Sequence, residues 1–590
     1  MISLENMSVP VSKKMKDKDK FMKVIPHLFC ILALTFVLSS CGSEQKADLV
    51  LRNGTIYTLD ENNPQAGMVA VRGDRIVFVG SDEEAVSWVG EQTEVIDLQG
   101  KTMTPGFIEG HGHFIEMGQA KTKLDLSGAR NYTEVVTLVA EAVDKTDPGE
   151  WIIGYGWHQS NWNKKPVPEV QGFQTHEALS AVSSQNPVFL LHTTGHAAMV
   201  NLKAMELAGI SRDTIYEADG EVIKDEHGNP TGILVENAMV LVSSILPEAN
   251  EESLGRAVDA AMDESLRNGI TTFQYAGANR ENTGILLKYL NEGKLKVRLW
   301  LMLESLTSED AFLQEWYERG PAIGLNDNFL TVRSIKIYAD GAIGSRGAWL
   351  IEEYADRPGH FGHETVPMEE VYQISTDALK YGFQVATHAI GDRTNREVLN
   401  IYERVFQENP EKARDARFRI EHAQHLDEKD IPRFGELGVI ASMQGNFTPY
   451  VRPWAVDRLG LDRIREGTYV ARKLLSTGAV IVNGSDVPVV GINPIISFYG
   501  SVTRQTLDGD PPGGFEPEQK MTRLETLRSY TLDAAFGGFE EDIKGSIEVG
   551  KLADFTVFSQ DLLQVPDSEI LNTVVEYTIV GGKVLFQREK

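Results

Sequence analysis

Eight short apolar runs, separated by helical stretches, constrain the fold of this chain more than any other feature. They are GFIEGHGH (Gly106–His113), GITTFQYAG (Gly269–Gly277), VRLWLML (Val297–Leu303), RSIKIYADG (Arg333–Gly341), FQVATHAIGD (Phe383–Asp392), FRIEHAQ (Phe418–Gln424), VIASMQ (Val439–Gln444) and AVIVNGSD (Ala479–Asp486). Strands alternating with helices predict parallel βα units, and strands buried on both faces read as nearly continuous apolar runs. Eight such units close a (β/α)8 barrel, which carries its active site at the C-terminal strand ends. Polar residues fall at most of those ends. His111 and His113 follow the first run, Lys336 lies in the fourth, and His388, His422 and Asp486 end the fifth, sixth and eighth.

The flanks differ from this middle. ADLVLRNGTIYTLD predicts an Asn-Gly turn between two apolar runs, and MVAVRGDRIVFVG repeats the pattern with Gly-Asp. The C-terminus does the same with ADFTVFSQD and then VVEYTIVGGKVLF. The expected fold class is α/β: a TIM-like barrel over 105–534 and a small β-sandwich built from 47–104 and 535–590. Two separate β extensions are the alternative. More than 150 residues separate the first two barrel strands, too many for one loop, so a subdomain is expected at about 118–268.

The first 40 residues read as a leader. Lys13, Lys14, Lys16, Lys18, Lys20 and Lys23 precede an apolar run, Val24 to Leu38, and then Leu38-Ser39-Ser40-Cys41-Gly42. A basic region, a short apolar region and small residues describe a secretory signal, and its end at cysteine resembles a bacterial lipobox. That resemblance implies a signal peptide over 1–40, lipidation of Cys41, a tether over 41–46 and an exported lipoprotein facing the periplasm or cell surface. A membrane helix is the alternative, although the run is shorter than the ~20 residues a span prefers. Translation from Met15 or Met22 would give a shorter basic region. The only other cysteine is Cys30, so the mature chain has no disulfide and no thiolate metal site. With 57 basic and 85 acidic residues the net charge is −28, which argues against a nucleic-acid partner.

A metal held here needs His, Asp, Glu or a modified Lys. Residues i and i+2 of a strand share a face, so His111 and His113 can converge on one ion. His-x-His alone is a weak signal; the series of strand-end residues downstream raises it. Of the 13 histidines, His27, His158, His176, His227, His360, His363 and His425 end no barrel strand and read as bystanders, while His192 and His196 are intermediate. Lys336, between Ile335 and Ile337, is costly to bury unless paired or neutralised. It reads equally as a carbamylated ligand or as a structural lysine paired with Asp340 or Glu421.

The series on strands one, four, five, six and eight resembles the amidohydrolase (metallo-dependent hydrolase) superfamily. TPGFIEGHGH, GWHQSNW, GHAAMVN, PTGILVEN, KIYADGAIGSR, THAIGD, IEHAQ, NGSDVPV, YTLDAAF and GSIEVGKLADFTVF are similar to amidohydrolase family 3, the branch with N-substituted formamide deformylases. The resemblance covers the chain from about Ala47 onward. It implies His111, His113, His388 and His422 as metal ligands, Lys336 as the carbamylated lysine of binuclear members, and Asp486 as both ligand and general base. Zinc is the expected ion: one, or two if Lys336 is carbamylated. The implied reaction is metal-activated hydroxide attacking a small non-peptide amide (a formamide, N-acyl or cyclic amide), with Asp486 moving the proton and the ion, with His422 or His196, steadying the oxyanion.

His196, Asp340, Ser345 and Trp157 are the candidate substrate-binding residues. Trp162 and Trp454 are candidate apolar walls, and Arg346 and Arg452 candidate anion contacts, although packing and surface ion pairs are the commoner roles. A ring-amidine deaminase and a lipid-anchored solute-binding protein are the competing functions. The expected partners are a small amide and a membrane through the lipid anchor only, with homodimerisation left open.

Overall fold

The computed structural model describes residues 46–159, 162–192, 197–216, 220–247 and 250–589. The expected leader and Cys41 lie outside this set. Among the described residues no helix is long and apolar enough to cross a membrane.

The eight expected barrel strands are present: β1 Phe107–Gly112, β2 Ile270–Ala278, β3 Arg298–Glu304, β4 Leu330–Tyr338, β5 Gln384–Ala389, β6 Arg419–His422, β7 Ile440–Gln444 and β8 Ile481–Gly484. Each pairs in parallel with the next, from β1 to β8. The seam between β8 and β1 is joined just past the strand ends, where Asp486 N–H donates to the His111 carbonyl (2.8 Å) and His113 N–H to that of Val487 (2.7 Å). The seam is tight. A Cβ on Gly484 would lie 2.4 Å from the His111 nitrogen, which is why glycine precedes Ser485-Asp486. Alternation sorts the strands: Phe273, Leu299, Leu301, Ile335, Val385 and Ile420 join the main core beneath the helices. Trp300, Met302, Ala276 and Ala386 form a separate cluster on the opposite strand face.

Both chain ends enter one continuous eight-stranded sheet. Its N-terminal members are Leu49–Tyr57, Gln65–Arg72, Arg75–Gly80, Glu94–Asp97 and Thr102–Pro105, and its C-terminal members are Phe555–Phe558, Val575–Val580 and Lys583–Gln587. The two ends meet where Thr102–Pro105 pairs antiparallel with Phe555–Phe558. Gly73 and the Gly581-Gly582 pair take positive φ in hairpin turns, as expected. The Asn-Gly expectation is corrected. Asn53 adopts φ 58 inside a continuous strand and produces a register shift, so its left-handed residue forms a bulge rather than a hairpin.

The insertion carries a six-stranded sheet, from Leu124–Asp125 to Pro230–Glu236, with its own core around Leu126, Val135, Trp157 and Leu190. It is narrower than the expected 118–268, because the helices at either end pack on each other as barrel helices. Helix Phe114–Thr122 follows β1 directly. Helix Glu251–Arg267 leads into β2, begins with an Asn250/Ser253 capping box and buries Leu254, Ala257, Val258, Ala261 and Met262 at helical spacing. They touch at Gly118, where a Cβ would lie 1.9 Å from the Ala257 carbonyl oxygen. Backbone cannot yield there as a flexible side chain would. Gly118→Ala is therefore expected to cost about 1–3 kcal/mol, read as a lower urea midpoint; an unchanged midpoint would contradict this packing.

Candidate metal centre

Strand alternation brings Glu109, His111, Lys336, His388, Arg419 and Glu421 to the barrel interior, and the three ends after β1, β6 and β8 add His113, His422 and Asp486. The tightest group is His111, His113 and Asp486, whose donor atoms lie within 4.8 Å of one another. Asp486 Oδ1 is 3.4 Å from His111 Nε2 and 3.2 Å from His113 Nε2. The His422 ring centroid lies 4.9 Å from that of His111 and 4.5 Å from that of His388. Lys336 Nζ is 3.5 Å from His111 Nε2.

Two ligand candidates reach the mouth only through unusual backbone. Glu421 and His422 are neighbours in β6 and in extended chain would point to opposite faces. His422 instead takes φ 76 and Ala423 φ 42; Asp486 takes φ 62. Left-handed conformations cost non-glycine residues about 1–2 kcal/mol each, and such strain clusters at functional sites.

The imidazoles are held from behind. His111 Nδ1 donates to Glu421 Oε2, which orients the ring so that Nε2 faces Asp486. His422 Nδ1 faces Gln444 Oε1 at 2.8 Å. His388 Nε2 lies 3.5 Å from Asp340 Oδ1 without a hydrogen bond, and that oxygen accepts the Ile390 N–H (3.0 Å). Glu421 is itself held by Arg419, whose Nε donates to Oε1 (2.7 Å) and Nη2 to Oε2 (3.1 Å). The same guanidinium reaches Gln274 on β2, the Gly110 carbonyl on β1 and Ser442 on β7, bracing four strands beneath the site. Glu109, also buried, accepts Ser485 N–H (2.6 Å) and so steadies the strand end that presents Asp486.

The electrostatics favour a cation. Burial lowers His388 well below the imidazole range and His422 to about 3, so both are neutral lone-pair donors at pH 7. Burial raises the carboxyls of Asp486 and Glu421, but facing imidazoles at Asp486, and Arg419 and His111 at Glu421, outweigh it. Both end well below the usual carboxylate range and are anionic. Burial pushes Lys336 down to about 8. Neutral imidazole nitrogens and an anionic carboxylate are the donors a zinc-like divalent ion takes, and the far sides of His111 and His422 face the acceptors Glu421 and Gln444 as metal-binding histidines require. The residues present fit such an ion.

Above these donors opens a cavity of about 660 Å³, lined by His113, Lys336, His388, His422 and Asp486 at its floor and by mostly apolar walls. The described residues expected to bind substrate lie elsewhere than this floor. Asp340 is buried and accepts from Trp349 N–H (3.0 Å), Gly391 N–H (2.8 Å) and Thr394 Oγ1 (2.8 Å) besides Ile390. It anchors the loops after β4 and β5 rather than facing a ligand. Ser345 is exposed, bonded to the Ala342 carbonyl, while the adjacent Ile343 and Gly344 line the cavity. Trp157 is core of the insertion, its indole N–H on the Leu190 carbonyl (2.9 Å). Trp162 packs against that same core. His196 and the Trp454 side chain lie outside the described residues. Of the two carboxylates weighed as partners for Lys336, Asp340 is taken by backbone donors and Thr394, while Glu421, hydrogen-bonded to His111 and Arg419, still acts on the Lys336 ammonium through its charge. Sequence reasoning missed Glu109, Arg419 and Gln444, and missed that Glu421 hydrogen-bonds His111 and Arg419. The available signal was a pair of opposite charges two apart, Arg419 and Glu421, inside an otherwise apolar strand.

A family model described as the amidohydrolase family matches residues 94–586. Among curated relatives, the Arabidopsis thaliana protein named LONG AFTER FAR-RED 3 is 32% identical over 550 residues, covering 92% of this chain and 92% of that one. An N-substituted formamide deformylase of Arthrobacter pascens is 28% identical, covering 92% of this chain and 99% of that one. A solved structure of an uncharacterised metal-dependent hydrolase from Pyrococcus furiosus is similar with a TM-score of 0.71 at 26% identity, covering 88% of this chain and all of that one (100%).

Proposed function

The chain belongs to the amidohydrolase family, and from that premise we propose that it hydrolyses a small non-peptide amide, a formamide, N-acyl or cyclic amide, with Asp486 as the general base. It is a metal-dependent hydrolase acting on carbon–nitrogen bonds other than peptide bonds. The proposed refinement rests on one observation: a buried carboxylate oxygen within 3.4 Å of two imidazole nitrogens, at the floor of an open cavity.

His111, His113, His388, His422 and Asp486 would hold the ion, zinc by the chemistry of this donor set, and Lys336, if carbamylated, would help to hold a second. Bound there, a divalent cation supplies Lewis acidity toward water and the scissile carbonyl. Asp486 accepts the proton of the attacking water and returns it to the leaving nitrogen. Its ionised state lets it accept, and its place at the cavity floor lets it reach both atoms in turn. Glu421, Arg419 and Gln444 hold the His111 and His422 rings in register, and the apolar walls exclude water from the reacting carbonyl. The name of the Arthrobacter pascens relative makes formamides the first substrates to try.

The experiment is a panel of formamides, N-acyl amides, lactams and ring amidines offered to metal-loaded protein, with amine, carboxylate and ammonia measured separately. Release of amine and carboxylate in equal amounts is the expected outcome. Ammonia release from ring amidines alone would replace this reading with deamination.

A further inference from the structure

The cavity walls say which amides fit. Ile343, Ile390, Phe447, Val451, Val489 and Val490 supply its apolar surface, with Tyr338, Gln424 and Tyr450 as the polar interruptions. Its volume, about 660 Å³, holds a ligand with a substantial side group. Among the described lining residues Lys336 carries the one ammonium or guanidinium group, and it lies at the floor beside His111 with His113, His388 and His422.

Guanidinium groups next to the wall are already taken. Arg346, two residues past Gly344, pairs with Asp356 through Nε (3.0 Å) and Nη2 (2.7 Å), and Arg458 pairs with the same carboxylate. Arg452, beside Val451, pairs with Glu516 and lies over the Phe515 ring at 4.3 Å. Among the described residues, a carboxylate entering this cavity would exchange its hydration for neutral wall donors such as Tyr338 and Tyr450, with no cation on the walls to offset its charge.

We propose that the cavity selects neutral amides bearing a bulky apolar group and rejects those bearing a carboxylate, N-acyl amino acids included. This rests on the amide-hydrolase reading above. Ile390 and Phe447 act as specificity residues by contact with the apolar group, and the Arg346–Asp356 and Arg452–Glu516 pairs act by keeping their guanidinium groups away from a substrate anion.

A matched pair of probes tests it: N-(2-phenylethyl)formamide and N-formylphenylalanine, which differ by one carboxylate. With metal-loaded full-length protein, kcat/KM for the neutral amide is expected to exceed that for the acid by about 100-fold or more. Calorimetry on metal-free protein, where a carboxylate cannot gain by coordinating an ion, is expected to detect binding of the neutral amide alone. Val489→Arg places a guanidinium at the mouth, where Val489 is 68% exposed, and is expected to narrow the ratio at least about 10-fold. Equal or better use of N-formylphenylalanine overturns the inference while leaving amide hydrolysis standing. Selective binding of the neutral amide without hydrolysis of either supports the inference and removes the hydrolytic reading. Binding of neither probe, or of both equally, overturns it.

Discussion

Replacing Asp486 by Asn is expected to lower kcat about 10²–10⁴-fold, with the fold intact and most of the metal retained. Asparagine is the informative choice because position 486 takes φ 62, a conformation Asn tolerates better than most side chains. Ala would add strain to the loss of the carboxylate, and the two effects would be confounded. The amide keeps the size of the side chain and one acceptor oxygen but cannot take a proton from water. Four imidazoles remain to hold the ion, so metal content should fall less than rate. Turnover at the wild-type rate with full metal would show that Asp486 is not the base.

Glu421 carries the second large effect, acting through His111. Glu421→Leu removes the acceptor that holds His111 Nδ1 and leaves Arg419 as a buried, partly unpaired cation. Loss of one partner of a buried pair costs about 3–5 kcal/mol, and loss of a group orienting a metal-binding histidine costs about 10–100-fold in metal affinity. These two consequences separate in the double variant Arg419→Met with Glu421→Leu. Replacing both charges by apolar groups is expected to recover much of the stability, since no orphaned cation remains. Metal affinity should stay low, because His111 still has no acceptor. Thermal unfolding of the metal-free protein and equilibrium dialysis against zinc measure the two quantities independently. Recovery of metal affinity along with stability would make Glu421 a structural residue only.

The barrel was legible because parallel strands covered on both faces must be apolar, so polar strand ends stood out. His111 and His388 were legible as polar residues on apolar strands, while the sequence left open whether Lys336 points into the barrel or out to the helices; alternation in the folded strands turns it inward. His422 and Asp486 were legible as residues but not as geometry. Each turns into the mouth through positive φ, and their side chains give no sign of it. The support behind the site was hidden for another reason. Glu421 meets His111 across 310 residues of chain, a contact that exists only after the barrel closes. Asp340 and Ser345, expected to bind substrate, lie in the loop after β4. A polar residue just past a strand gives no hint of which way the loop folds, and Asp340 turns back to gather donors from three neighbouring segments. Trp157 follows an apolar run ending in polar residues, as a barrel strand would, but belongs to the insertion's own core. The Arg346 and Arg452 pairings likewise depend on Asp356 and Glu516, which only the folded chain brings near.

The central claim is that His111, His113, His388, His422 and Asp486 form a metal centre on which C–N bond hydrolysis depends. The most direct measurement is metal content by elemental analysis of full-length protein, taken with formamide hydrolysis before chelation, after chelation and after zinc is restored. One or two equivalents of divalent metal, loss of turnover with the metal, and its return with zinc are the expected results. Full turnover by protein carrying no stoichiometric metal would contradict the central claim.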